Sequence, residues 1–199
     1  MISDSASQSD DKSTKTELLE TGLELFSHAP YEGVSVQEIV SRVQVKKPTL
    51  YHHFGSKLGF YMAVFDHYLT PFFEIILEKS IYKNDLVNNL NEIAKCTMEY
   101  MMAKPDVFWM VEHALCLSSG AEHYRFVSER WEKVSKAVIL MFNQAVAQHG
   151  NLRGKESLVM WMFLSAVRTS VHAVLRDYVP YTPDLPYKVV HQFMYGIFS

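Results

Sequence analysis

The stretch at residues 35–57 constrains this chain more than any other, because it packs two helix starts around one short break. Ser35-Val36-Gln37-Glu38 is a capping box: the Ser35 hydroxyl can accept from a free first-turn N–H, and Glu38 can reach back to the cap. Val36, Ile39, Val40 and Val43 then share one face of a short helix. The periodicity breaks over residues 44–47. Pro48 follows, a residue suited to a helix start because its missing N–H would go unpaired there anyway. Leu50 and Phe54, four apart, face inward, and Gly55 closes the helix. Ser56 can cap the next one, which carries Leu58, Met62, Phe65 and Leu69 at helical spacing until Pro71 perturbs it. Two short helices around a tight turn are a helix-turn-helix, whose second helix is shaped for the DNA major groove.

Charge supports that expectation. The chain's net charge of -3 gives no hint of a nucleic-acid partner. Residues 39–65, however, contain no Asp or Glu and hold Arg42, Lys46, Lys47 and Lys57. A +4 window inside an acidic protein is a local footprint for phosphate.

The geometry of the second helix assigns roles. With Leu50 and Phe54 facing the core, Pro48, Thr49 and His52 fall on the opposite face, and Tyr51 and His53 on the flanks. Thr49 and His52 can reach base edges, and Lys46 and Lys47 can reach bases or phosphates. The Tyr51 phenol can donate to a phosphate oxygen. Lys57 in the first turn of the next helix, and Ser35 at the first motif helix, can each serve an anion beside free N–H groups. Arg42 is a weaker candidate. A metal at His52-His53 is disfavoured because adjacent helical residues point about 100° apart.

These residues carry a resemblance. Gly33-Val34-Ser35-Val36-Gln37-Glu38-Ile39-Val40, followed by Val45-Lys46-Lys47-Pro48-Thr49-Leu50-Tyr51-His52-His53-Phe54-Gly55-Ser56-Lys57, resembles the N-terminal domain of the TetR family of bacterial regulators. The match covers about residues 14–65. Three departures stand out. Val43-Gln44 replaces the family's usual Ala-Gly, Pro48 replaces Gly, and Leu58-Gly59 replaces an acidic pair. Gln44 is therefore expected in a left-handed backbone, which costs a non-glycine residue roughly 1 kcal/mol.

Beyond the motif, helices are expected over about residues 14–28, 86–103, 106–117, 122–149, 155–178 and 187–198, with no strand. Residues 1–13, polar and Ser-rich, read as a disordered tail with no signal-peptide core. The most apolar run, residues 158–164, is far shorter than the ~20 residues of a membrane helix. Cys96 and Cys116 form no CxxC pair and suit a reducing cytoplasm. Val127, Trp131, Val134, Val138, Met141 and Ala145 make a heptad-like seam for helix packing. The helix that follows is apolar all round and needs cover on every side. The resemblance implies that two C-terminal helices from each subunit build a four-helix dimer interface. Met101, Trp109, Met110, His113, Phe142 and Trp161 are candidates to line an apolar effector pocket, with His113 as its polar contact. Met and aromatic residues at this spacing also serve as plain core.

The expected architecture is all-α: an N-terminal three-helix helix-turn-helix domain at residues 14–57, then a larger C-terminal helical domain at residues 58–199 for ligand binding and dimerisation. The expected function is a cytoplasmic, homodimeric regulator of a palindromic double-stranded DNA operator, responsive to a small apolar or aromatic ligand. It needs no cofactor, metal or membrane. Repression is implied by the resemblance alone. A DNA-binding regulator controlled by a protein partner, with no small-molecule ligand, is the alternative. No phosphate loop, nucleophile elbow or HExxH motif points to an enzyme.

Overall fold

The computed structural model describes residues 3–115 and 122–196. Among these residues the fold is all-α, as expected. In chain order the elements are α1 (Ser3–His28), a 3-10 turn (Tyr31–Gly33), α2 (Val36–Arg42), α3 (Lys47–Phe54), α4 (Lys57–Lys79), α5 (Leu86–Ala103), α6 (Pro105–Leu115), α7 (Glu122–Ala145), a second 3-10 turn (Gly150–Leu152), α8 (Glu156–Leu175) and α9 (Leu185–Tyr195). Cys116 and the expected end of the helix at about residue 117 lie outside the described residues. Two compact units result: Met1–Thr70 with Asp106–Glu129, and Pro71–Pro105 with Arg130–Ser199.

The first unit is built on aromatic packing. Phe26 of α1 meets Tyr61 of α4 edge-on, with ring centroids 4.9 Å apart, and lies 6.0 Å from Phe60. Gly22 permits this closeness. A Cβ there would stand 2.5 Å from the Phe60 ring and 2.6 Å from Val64, so α1 and α4 approach further than any side chain would allow. Leu18, Ile39 and Leu50 are fully enclosed in the same core. Helix α1 begins at Ser3, well before the expected start near Thr14, so most of the residues read as a tail are helical. No glycine or proline stands in residues 3–21 to stop it. Apolar periodicity marks only the part of a helix that meets a core, and from Asp11 onward the first fully buried residue is Leu18.

Pro71 does not end α4, which runs on to Lys79. A proline inside a helix removes one backbone bond and clashes with the preceding turn. The division between the two units falls at Thr70–Pro71, inside this helix.

The second unit encloses Leu90, Ile93, Ala94 and Met98 of α5, Val138, Met141 and Phe142 of α7, and Phe163, Val167 and Val171 of α8. The expected α7 seam is real, but Val134, Val138, Met141 and Ala145 are consumed by the chain's own core. Helix α8 is covered on one side only. Leu158, Trp161 and Met162 stand 62%, 50% and 54% exposed. It is also 20 residues long and holds an 18-residue stretch with a mean hydropathy of 1.5, enough by length and composition to cross a membrane, where the sequence had shown only a short apolar run. Ser165, Arg168, Thr169 and Ser170 interrupt its open side.

Candidate nucleic-acid interface

Local rules build the motif almost residue by residue. Ser35 Oγ accepts from Glu38 N–H at 3.1 Å and so caps α2. The reciprocal half of the capping box is replaced by a different contact, because the Glu38 carboxylate lies 3.9 Å from Arg42. Arg42 also pairs with Glu24 of α1. Its charge therefore braces α2 against α1.

Helix α2 stops in a Schellman turn. Val45 N–H donates to the Val40 carbonyl at 2.9 Å and Gln44 N–H to the Ser41 carbonyl at 3.4 Å. This geometry places Gln44 at φ 59°, the left-handed backbone expected from the sequence. Helix α3 starts one residue before Pro48, with Lys46 as its N-cap and no acid in its first turn. Gly55, at φ 73°, closes it. Ser56 Oγ then accepts from Gly59 N–H at 2.9 Å to start α4. Gly59 is needed there, because a Cβ would collide with the Phe54 carbonyl oxygen.

Within α3, Leu50 is fully buried, while Lys47, Pro48, Tyr51 and His52 are exposed and Thr49 is half-buried. Lys46, at the N-cap, is exposed as well. The outward face is thus polar, cationic at its start and free of carboxylates. Ser35 keeps its hydroxyl proton for an external acceptor, since its oxygen already receives a backbone N–H. His53 leaves this face: its side chain is only 6% exposed, with Nε2 3.3 Å from the Asp11 carboxylate. Sequence periodicity gave no sign of that neighbour, because Asp11 lies in the segment read as a tail.

Lys57 is the other adjustment. Its Nζ donates to the Tyr31 carbonyl at 2.6 Å and sits 4.2 Å from the centre of the Tyr31 ring. Partial burial lowers its pKa, opposed by the nearby Glu32 charge. The ammonium thus ties α4 to the turn before α2. His123 stacks on the same Tyr31 ring at 4.5 Å, with Nε2 3.3 Å from Glu32. Tyr61, edge-on to Tyr31, has its phenol pKa raised by burial.

The six effector candidates are not brought together within one unit. Trp109, Met110 and His113 belong to the first unit, and Met101, Phe142 and Trp161 to the second. Met101, Met110 and Phe142 are packed core, Trp161 is half exposed, and His113 Nδ1 contacts the Phe26 carbonyl at 3.1 Å.

The first unit therefore presents a helix-turn-helix whose second helix offers a cationic, acid-free face. Residues 18–64 match the family model described as bacterial regulatory proteins, tetR family. Over these residues the chain is similar to the TetR family. It is 33% identical over 75 residues to the biofilm operon icaADBC HTH-type negative transcriptional regulator IcaR of Staphylococcus aureus (strain Newman), a match covering 36% of this chain and 40% of that protein. The chain thus spans well under half the length of that curated relative. Its fold is similar across nearly all its length to that of the transcriptional regulator FadR from Bacillus subtilis, whose structure holds stearoyl-CoA. That TM-score is 0.74, at 15% identity and 92% and 98% coverage of the two chains. The TetR-family regulator PfmR from Thermus thermophilus aligns with a TM-score of 0.71, at 19% identity and 90% and 98% coverage.

Proposed function

We propose that this chain is a homodimeric transcriptional repressor that reads a palindromic operator through the exposed face of α3. The observation that carries the reading is that face: Lys47, Pro48, Tyr51 and His52 turned outward, Thr49 beside them, and no carboxylate among them. Thr49 and His52 contact base edges, while Lys46, Lys47, Tyr51 and Ser35 fix the phosphates. One such module makes few contacts, and two set one DNA turn (~34–36 Å) apart read a palindrome.

The dimer surface in this reading is the open side of α8 and α9. Leu158, Trp161 and Met162 are exposed on α8. An open groove between the two helices is lined by Met162, Ala166, Ala173, Leu185, Val189 and Phe193. Exposed apolar surface of this kind is what a partner subunit covers. Repression is supported by the naming of IcaR as a negative regulator. Control by a ligand that carries apolar surface is supported by the stearoyl-CoA, with its long acyl chain, in the structure of FadR. Such an effector releases DNA by favouring the conformer that binds it less well.

The test is selection from a randomised duplex pool at physiological salt, using the wild type and a Tyr51→Ala, Lys47→Ala variant. The wild type enriches a palindrome and the variant does not. Enrichment of no sequence by either protein, with affinity that collapses steeply as salt rises, is the signature of electrostatic binding alone and contradicts operator reading.

A further inference from the structure

Helix α1 ends with a missing donor. The Phe26 carbonyl would normally accept the N–H four residues on, but that residue is Pro30, which has none. Its neighbour is served in the ordinary way, with Ala29 N–H on the Leu25 carbonyl at 3.1 Å. Phe26 is 1% exposed, so water has little access to replace the lost bond. His113 of α6 fills the gap, with Nδ1 3.1 Å from the Phe26 oxygen. A carbonyl can only accept, so Nδ1 must carry the proton, and the Nδ1–H tautomer is fixed by this contact.

We propose that His113 is a positioning residue: it completes the last turn of α1 in place of the donor that Pro30 lacks, and so makes the seating of α6 set the path into the helix-turn-helix. The turn it holds is short. Pro30 is followed by the 3-10 turn Tyr31–Gly33 and then by Ser35, the cap of α2. The far end of this turn is held independently, by Lys57 on the Tyr31 carbonyl and His123 on the Tyr31 ring. If α6 withdraws, the Phe26 carbonyl is left buried without a donor, and the turn is penalised in the state that loses it. An unsatisfied buried group weights such an equilibrium by about tenfold. This inference rests on the proposed function in one respect: the packing of α6 against the end of α1 belongs to the DNA-binding form.

Two measurements separate the inference from that reading. Side-chain 15N NMR of the full-length wild type reports the His113 tautomer without any DNA. The Nδ1–H form is expected, and the Nε2–H form overturns the proposal. Affinity for the selected duplex is then compared for His113→Leu and His113→Asn, with helicity checked by circular dichroism. Asn can place an N–H where Nδ1 stood. His113→Leu is expected to bind about tenfold more weakly, and His113→Asn to stay within about threefold of wild type. Equal affinity for all three proteins, or tighter binding by His113→Leu, overturns it. If the wild type selects no duplex, the operator reading has failed, and amide exchange over residues 29–43 tests the positioning role instead. Exchange must rise in His113→Leu and not in His113→Asn; equal exchange in both overturns it.

Discussion

The helix-turn-helix and the second unit are both built of helices but obey different kinds of rule. In the motif, each turn of chain is dictated by a local signal: a Ser cap, a Schellman turn, a Pro in the first turn, a Gly closure, another Ser cap. In the second unit, the helices are fixed by which apolar residues happen to face one another. The comparisons divide along the same line. The family model matches residues 18–64 and the similarity to IcaR runs over only 75 residues, whereas solved structures align over about nine-tenths of the chain at under 20% identity. Local backbone chemistry admits few alternatives and ties function to named residues. A packed core admits many sequences of similar volume.

Four substitutions test that contrast. The largest effect is expected at Leu50, the fully buried anchor of α3. Leu50→Ala should cost about 2–5 kcal/mol in chemical denaturation and abolish selection of any operator. A loss of stability with operator reading intact would detach α3 from function. Next comes the open side of the second unit. If the proposed dimer forms through α8, Trp161→Glu should weaken it by roughly 100-fold or more, read by sedimentation at falling concentration, because it places a charge in that proposed contact. An unchanged dimer would move the interface away from α8.

Smaller effects sharpen the motif itself. Lys57→Met removes the bond to the Tyr31 carbonyl and should lower stability by about 1 kcal/mol. It should also leave more of the salt dependence of DNA binding in place than Lys47→Ala does, since Lys47 spends its charge only outward. The reverse order would make Lys57 the phosphate ligand first and the brace second. Smallest is Gln44→Gly, which relieves the left-handed backbone but adds freedom to the unfolded chain. A net gain of at most about 1 kcal/mol is expected in thermal denaturation. A loss would mean that the Gln44 side chain holds something that its backbone does not explain.

How much was legible in the sequence follows from the same contrast. Ser35, Gln44, Gly55 and Ser56 do what their positions required, because each role is decided within a few residues. The inward turn of His53 was not legible, since it depends on Asp11, far away in the chain. Pro71 was read as perturbing its helix, yet α4 continues through it to Lys79. The α7 seam was correctly read as helix packing but not where it packs: its partner is the chain's own core, and the uncovered side is on α8. Met101, Phe142 and Trp161 show the limit most clearly. Their spacing was the same whether they lined a pocket or filled a core, and only their burial tells Phe142, fully enclosed, from Trp161, half exposed.

The most direct test of operator reading by α3 is to repeat the duplex selection with His52→Ala, an exposed residue that holds no part of the core. The account predicts a palindrome of unchanged half-site spacing in which base preference is lost at one position, symmetrically in both halves. A preference profile identical to wild type, or a loss confined to one half, would contradict a dimer that reads DNA through this face.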